Sequence, residues 1–186
     1  MFTVRIAKPR DAKVLSQFAE SIFRATYGAM NTAGHMATHC HNSFGEQIQA
    51  AEISNPDMVT VLSEDKDTLI GYALLLWGEA PDFVSSKKPG EIQQASIVGD
   101  DWHGRRGTGL MDACIDEMRQ RGSDVVWLGV LESAIRRALA FYKKRGFIEV
   151  GEQIFSFGGD PQRDIVMARS IASVEATMDR GQRGDN

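Results

Sequence analysis

The segment from Ile97 to Leu110 joins an apolar run to an amphipathic run through a glycine-rich turn that contains two arginines. The turn itself reads Gly104-Arg105-Arg106-Gly107-Thr108-Gly109. Glycines let a backbone approach a ligand closely, and the first N–H groups of a helix attract anions together with the helix dipole. We predict a strand, a phosphate-binding turn and a helix here. A tight connection without a ligand is the alternative that this pattern alone leaves open.

Two other phosphate-binding motifs do not fit this turn. A Walker A loop requires Gly-Lys-Ser/Thr after four spacer residues, and that sequence is absent here. A dinucleotide fingerprint follows an early strand of a parallel βαβ unit, whereas this turn comes after three apolar runs that are typical of meandering strands. The chain is therefore predicted to be neither a P-loop protein nor a dinucleotide-binding protein.

Apolar periodicity predicts the remaining elements. Alternating or β-branched runs predict strands over residues 3–7, 58–62, 68–77, 92–98, 125–130, 147–150 and 164–168. Helical spacing predicts helices after Asp11, over residues 32–54, over 107–121 and from Ile135 to Gly146. The order is β-α-α-β-β-β-α-β-α-β-β, an α/β (α+β) fold with a mixed sheet flanked by helices. The polar segment 32–54 is expected to be exposed and to line a cleft.

Length and composition favour one soluble domain over residues 1–172, followed by a disordered tail over 173–186. The longest apolar stretch, residues 72–77, is far shorter than the roughly 20 residues that span a bilayer. Because no signal-peptide core is apparent, we expect a cytoplasmic protein with reduced Cys40 and Cys114. The net charge of −4 argues against a nucleic-acid partner and favours a cationic small substrate.

A second motif follows the turn. It reads Ala138-Leu139-Ala140-Phe141-Tyr142-Lys143-Lys144-Arg145-Gly146-Phe147, and Trp127-Leu128-Gly129-Val130 precedes it. Together the two motifs resemble the GNAT acetyltransferases, whose pattern is Arg/Gln-x-x-Gly-x-Gly/Ala and then Ala-x-x-Phe-Tyr-x-x-x-Gly-Phe. The resemblance implies a mostly antiparallel seven-stranded sheet, and transfer of an acetyl group from acetyl-coenzyme A to a primary amine by direct attack. Residues 23–27, 54–56 and 164–168 look more loosely like the bacterial polyamine (spermine/spermidine) N-acetyltransferases.

The resemblance also implies which residues bind acetyl-coenzyme A. In the family the turn holds the pyrophosphate, and the pantetheine arm lies between the fourth and fifth strands, where a backbone N–H, here that of Ile97, contacts the thioester oxygen. Two positions depart from the pattern, since Gly104 replaces Arg or Gln and Ile135 replaces an Asn that contacts the pantetheine arm. The implied contacts are Ile97, Val98, Arg105, Arg106, Gly107, Thr108, Gly109, Leu110, Ile135, Tyr142 and Lys144.

Acetyl transfer to an amine requires a general base for the amine and a proton donor for the leaving thiolate. The resemblance implies that Tyr142 is the proton donor. Without the resemblance, its helical spacing would indicate an aromatic residue of the core. Glu91 on the fourth strand is the best single candidate for the base, and Asp100 or Asp101 is the alternative. We predict no metal site, because the histidines at 35, 39 and 41 lack a ligand spaced to complete a set. Cys114 is predicted to be a packing residue.

Three questions stay open at the level of sequence. The acceptor is either a free amine, such as a polyamine, or a protein N-terminus or lysine. A non-catalytic acyl-coenzyme-A sensor is the alternative from another class of protein. A homodimer is one of the oligomeric states that the sequence allows.

Overall fold

Seven strands form one sheet in the order β1-β2-β3-β4-β5-β7-β6 in the computed structural model, which describes residues 1–100, 104–131 and 135–171. Neighbouring strands are antiparallel except for β4 and β5, which are parallel. The predicted mixed, mostly antiparallel sheet is confirmed. The strands are β1 (Phe2–Ile6), β2 (Met58–Asp65), β3 (Thr68–Trp77), β4 (Pro89–Ile97), β5 (Val125–Leu131), β6 (Ile148–Phe157) and β7 (Asp160–Ser170).

Helices cover both faces of this sheet. They are α1 (Ala12–Tyr27), α2 (Ala33–Ser43), α3 (Glu46–Ser54), α4 (Arg105–Gln120) and α5 (Ile135–Lys144). One core lies between the sheet and helices α4 and α5, and we call that side the α4 face. A second core lies between the sheet and helices α1 and α2, and we call that side the α1 face.

The apolar stripe of α4 forms the centre of the larger core. Leu110, Met111, Cys114, Ile115 and Met118 are all buried, as their helical spacing predicts. They pack against alternate residues of β5, among them Val126 and Leu128. Cys114 is therefore a packing residue, and Cys114 and Cys40 are both free thiols.

The region predicted as one exposed helix over residues 32–54 forms two helices instead. Gly45 is the N-cap residue of α3, and the preceding Phe44 is buried in the core. The region is also less exposed than expected, because Met36, Cys40 and Gln49 are buried. The few apolar residues of this region that pack against α1 were not recognised, because most of its residues are polar.

Several predicted boundaries were wrong by a few residues or more. Strands β6 and β7 extend far beyond 147–150 and 164–168 and form a hairpin whose turn holds Gly158 and Gly159 at positive φ. Strand β4 begins at Pro89 and ends at Ile97, and α4 begins at Arg105 rather than at residue 107. Asp11 does precede α1, but its carboxylate pairs with Arg5 rather than capping the helix.

No helix within the described ranges is both long enough and apolar enough to cross a membrane. The tail predicted from residue 173 lies outside the described residues.

Gly109 permits α4 to pack closely on the first strand. A Cβ atom at Gly109 would lie 2.8 Å from Cε1 of Phe2. We therefore expect Gly109→Val to destabilise the protein by about 1–3 kcal/mol, the usual cost of overpacking. The midpoint of thermal unfolding should fall by about 2–4 °C per kcal/mol.

The matched control is Gly34→Val in α2, where a Cβ meets nothing within 4 Å. It should unfold at the parent temperature. In a Phe2→Ala background the Gly109→Val change should cost much less. An equal cost in both backgrounds would contradict the packing explanation.

Candidate active site

Strands β4 and β5 pair over only three residues before they separate. The register joins Pro89 to Val125, Gly90 to Val126 and Glu91 to Trp127. Beyond Glu91 the described part of β4 pairs only with β3, and the described part of β5 pairs only with β7. A gap therefore opens in the middle of the sheet, directly after Glu91.

A bulge in β4 accompanies this separation. Leu75 pairs with Ile92 and Leu74 pairs with Gln94, so Gln93 has no partner on β3. A bulge of this kind bends a strand and increases its local twist. We infer that the extra residue helps to turn β4 away from β5.

Glu91 lies at the point where the gap begins. Its neighbours Gly90 and Ile92 face α4, since Ile92 belongs to the larger core and a Cβ at Gly90 would meet Met118. Alternation along the strand places Glu91 on the α1 face, beside Trp127. Burial raises the pKa of the Glu91 carboxyl to about 7. A group with that pKa exchanges a proton readily at neutral pH.

The α1 face of β5 is covered at both ends and open in the middle. Trp127 is buried beneath Val84 of the loop between β3 and β4, and Leu131 packs in the core under α1 and α2. Gly129 lies between them on the same face and is exposed, although β5 is a central strand. The open stretch of β5 is therefore centred on Gly129.

Asp164 of β7 lies at the edge of this opening. Its Oδ2 atom is 2.5 Å from the position of a Cβ on Gly129, so a side chain there would collide with the carboxylate. Asp164 begins the last strand that the apolar pattern predicts, and the sequence predicts no role for it. An acidic residue at the start of an apolar run is the only feature of the sequence that could have marked Asp164. Its contact with Gly129 cannot be predicted from the sequence.

The far end of the opening is closed by the β6–β7 hairpin. Gln162 donates a hydrogen bond to Asn31, which follows α1, at 2.7 Å. The hairpin turn also packs so closely on α2 that a Cβ at Gly158 would overlap the carbonyl of His35. These contacts join the hairpin to the helices on the α1 face.

The predicted phosphate-binding turn forms the first turn of α4. Gly104 occupies the N-cap position and has no side chain with which to cap the helix. The first helical hydrogen bond described runs from Thr108 N–H to Gly104 O, so the N–H groups of residues 105–107 precede the ladder. The main-chain N–H groups that the helical ladder leaves available at this turn include those of Arg105, Arg106 and Gly107.

A basic groove runs from this turn to α5. It has a volume of about 640 Å³ and is lined by Thr108, Asp112, Phe141, Lys144, Arg145, Gly146 and Arg169. Arg145 pairs with Asp112 in its wall. The groove thus brings together two predicted cofactor residues, Thr108 and Lys144, and surrounds them with positive charge suited to phosphate groups.

The other predicted cofactor residues are placed differently. The Arg106 guanidinium pairs with Asp65 at 2.6 Å, whereas Arg105 is exposed. Ile97 and Leu110 are buried, and Val98 is exposed just after β4. Ile135 begins α5, and its side chain lies outside the description.

Tyr142 projects from α5 into the core on the α4 face and is 8% exposed. Its ring packs edge-to-face against Phe141 and Phe147. Burial raises the pKa of its hydroxyl above the ordinary value, so Tyr142 is protonated at neutral pH. It can therefore donate a proton but does not hold a charge in the resting protein.

Of the predicted alternatives to Glu91, Asp101 and the side chain of Asp100 lie outside the described residues. His39 stacks between Phe23 and Phe157, and burial lowers the pKa of its imidazole. Among the residues that the structure describes, no three His, Cys, Asp or Glu side chains cluster in a way that could hold a metal ion.

The profile of the Acetyltransferase (GNAT) family matches residues 20–147, more than half of the chain. The chain therefore belongs to the GNAT acetyltransferase family. Its fold, its family and its similarity to named N-acetyltransferases identify it as an acetyl-coenzyme-A-dependent N-acetyltransferase.

One relative and two solved structures show how far this similarity extends. An uncharacterized N-acetyltransferase in the pepI 3′ region of Lactobacillus delbrueckii subsp. lactis is 24% identical over 162 residues, 87% of this chain and 93% of the relative. The PaiA N-acetyltransferase of Thermoplasma acidophilum, solved with coenzyme A, has a TM-score of 0.70 at 19% identity over 91% of this chain and 99% of its own. The ribosomal-protein-S18-alanine N-acetyltransferase of Escherichia coli has a TM-score of 0.62 at 18% identity over 96% and 99%.

Gly107 provides a test of the anion site at the start of α4. It is the third residue of the helix, and a β-branched side chain there would crowd the N–H groups that precede the hydrogen-bond ladder. We expect Gly107→Val to weaken acetyl-coenzyme-A binding at least tenfold, or about 1.4 kcal/mol, by calorimetry.

Gly34→Val is the matched control, since it places the same side chain in the first turn of α2, away from the groove. It should bind the cofactor as the parent does. Unchanged affinity in a folded Gly107→Val protein would mean that the pyrophosphate does not lie at this turn.

Proposed function

We propose that this protein acetylates a primary amine of a small cationic acceptor, with a polyamine as the leading candidate. Glu91 acts as the general base and Tyr142 as the general acid. The observation that carries the proposal is the position of Glu91, whose carboxyl has a pKa of about 7 at the point where β4 and β5 separate.

The reaction assigns one role to each side of the gap. The amine nitrogen attacks the thioester carbonyl carbon, and the Glu91 carboxylate accepts the proton that the nitrogen releases. The carbon–sulfur bond then breaks, and the thiolate takes a proton from the Tyr142 hydroxyl. A backbone N–H of β4 beside the gap stabilises the carbonyl oxygen while it carries negative charge. The predicted donor, Ile97, lies six residues beyond Glu91, or about 20 Å along an extended strand, which is too far to serve the same carbonyl while Glu91 is the base.

Burial suits Tyr142 to this role on the α4 face. It keeps the phenol protonated before the reaction, and a thiolate formed in the same apolar surroundings gains proton affinity for the same reason. Cys114, in the same core, shows this effect, because burial raises the pKa of its thiol. Proton transfer from the phenol to the leaving sulfur is thereby favoured.

A cationic acceptor is supported by three carboxyls that burial holds at raised pKa. These are Glu52, Glu91 and Asp164. Within the described ranges none of the three forms an ion pair. The α1 face thus carries buried acid groups without cations, and an ammonium group of the acceptor would compensate them.

A small acceptor is supported by the closure of the cleft. The β6–β7 hairpin packs against α2 and the loop after α1, which leaves less room for an extended chain than an open groove would. The structural neighbour from Escherichia coli is named for a ribosomal protein as its acceptor, so a protein N-terminus is the second candidate. A shared fold at 18% identity is compatible with either a polyamine or a protein N-terminus as the acceptor.

A screen that measures thiol release from acetyl-coenzyme A tests the proposal. Polyamines should react fastest, and peptides with a free N-terminus should react slowly. Preferential acetylation of the peptides would overturn the polyamine assignment. Binding of acetyl-coenzyme A without thiol release for any amine would favour a sensor.

The pH dependence of kcat/KM tests Glu91. A base works in its deprotonated form, so kcat/KM of the parent should rise with pH through about 7, where Glu91 loses its proton. Glu91→Gln should lower kcat/KM by about 10²-fold or more and remove this rise. Glu149→Gln, on the edge strand, is the matched control and should keep the parent profile. A Glu91→Gln variant with the parent profile would assign the base elsewhere.

Tyr142→Phe tests the general acid, because it removes the hydroxyl and keeps the ring contacts. Turnover should fall by about 10²–10⁴-fold. Acetyl-coenzyme-A affinity should change by no more than about 0.5–1.5 kcal/mol, the value of one neutral hydrogen bond. Tyr72→Phe removes another buried hydroxyl and controls for stability. Parent turnover in Tyr142→Phe would remove this residue from the mechanism.

A further inference from the structure

We propose that Asp164 binds a second ammonium group of the acceptor, and that the acceptor is therefore a diamine or polyamine rather than a monoamine. In this arrangement the reacting nitrogen lies near Glu91, and the distal nitrogen lies over Gly129 against the Asp164 carboxylate. The inference rests on the proposed acetyl transfer and adds to it a residue that selects the substrate.

Asp164 is an acid group in an unusual position. It is 5% exposed, and its Oδ1 atom is buried without a hydrogen-bond partner within the described residues. The side chain of Gln153 donates the single hydrogen bond that the carboxylate receives there. No Lys or Arg of the described chain forms an ion pair with it.

A buried carboxylate in this state is costly to the folded protein. Acid groups removed from water are normally paired with a cation or satisfied by several donors. Two other partly buried acids follow that rule, since Asp11 pairs with Arg5 and Asp65 with Arg106. Asp164 does not follow it, so a donor from outside the chain would complete its coordination.

The opening beside Asp164 gives such a donor access. Gly129 is exposed, and the carboxylate lies directly over it, where any side chain would collide with Oδ2. The absence of a side chain at position 129 thus creates both the opening and the space for Asp164. An ammonium group that enters over Gly129 meets the carboxylate with little rearrangement.

The same opening continues to Glu91. Trp127 is paired with Glu91 across the two strands, and Gly129 is two residues further along β5 on the same face, about 7 Å away. Trp127 is also 5% exposed, and its Nε1 donor has no partner in the described part of the chain. Because Trp127 is covered by Val84, the apolar chain that joins two nitrogens in a short diamine would run past the edge of the indole, over the gap between β4 and β5, to reach Gly129.

The test compares matched amines on the parent and on Asp164→Asn. Asparagine keeps the shape of the side chain and removes its charge. The probes are putrescine and cadaverine, each paired with the monoamine of the same carbon chain, butylamine and pentylamine. We expect Asp164→Asn to raise the KM for the diamines at least tenfold and to change the KM for the monoamines less than twofold.

Gly129→Ala provides a second variant, which keeps the charge of Asp164 but moves it. Its Cβ would collide with Oδ2 and displace the carboxylate from the opening, so the preference for diamines over monoamines should fall as in Asp164→Asn. Thermal unfolding and acetyl-coenzyme-A affinity measured on each variant identify any loss of fold. If Gly129→Ala does not fold, Asp164→Asn alone decides.

The outcomes separate this inference from the proposed function. Equal effects of Asp164→Asn on diamines and monoamines, or no effect on either, would overturn the role of Asp164 while acetyl transfer stands. A parent that acetylates monoamines as well as diamines would overturn it too. A parent that acetylates no amine would overturn the proposed function itself.

Discussion

The separation of β4 from β5 is the constraint on which the rest of the site depends. Three parallel pairs hold the two strands together, and the bulge at Gln93 then accompanies their divergence. Strands that lose their ladder expose backbone groups, so a gap in the middle of a sheet is unfavourable unless a ligand or a covering element satisfies it. A gap flanked by Glu91, an exposed glycine and the start of α4 is well placed to receive an extended pantetheine arm.

The two faces of the sheet suit different reactants. On the α4 face, a basic groove and a buried phenol suit a phosphorylated thioester. On the α1 face, carboxyls without cationic partners suit an ammonium substrate. Because burial raises the pKa of Glu91 to about 7, its carboxyl can exchange a proton at neutral pH, which is what the proposed base requires.

Periodicity predicted what depends on local sequence and missed what depends on contacts between distant strands. The apolar stripe of α4 and the apolar run of β5 are visible in the local sequence, so both elements were predicted correctly. The family motifs predicted Tyr142 as the proton donor, which stays a prediction. The long β6–β7 hairpin was missed because its half-exposed strands alternate too weakly. No role was predicted for Asp164, because the sequence of its own strand does not show that Gly129 lies beneath its carboxylate. The separation of β4 from β5 after Glu91 depends on pairing between strands that are distant in sequence, so neither strand alone predicts it.

A structure of the protein bound to a conjugate of coenzyme A and putrescine tests the central claim most directly. The account predicts that the pantetheine arm lies between β4 and β5, that the acylated nitrogen lies within hydrogen-bond reach of Glu91, and that the free ammonium contacts Asp164. A conjugate whose pantetheine arm lies outside the gap, or whose amine leaves the gap away from Glu91, would contradict it.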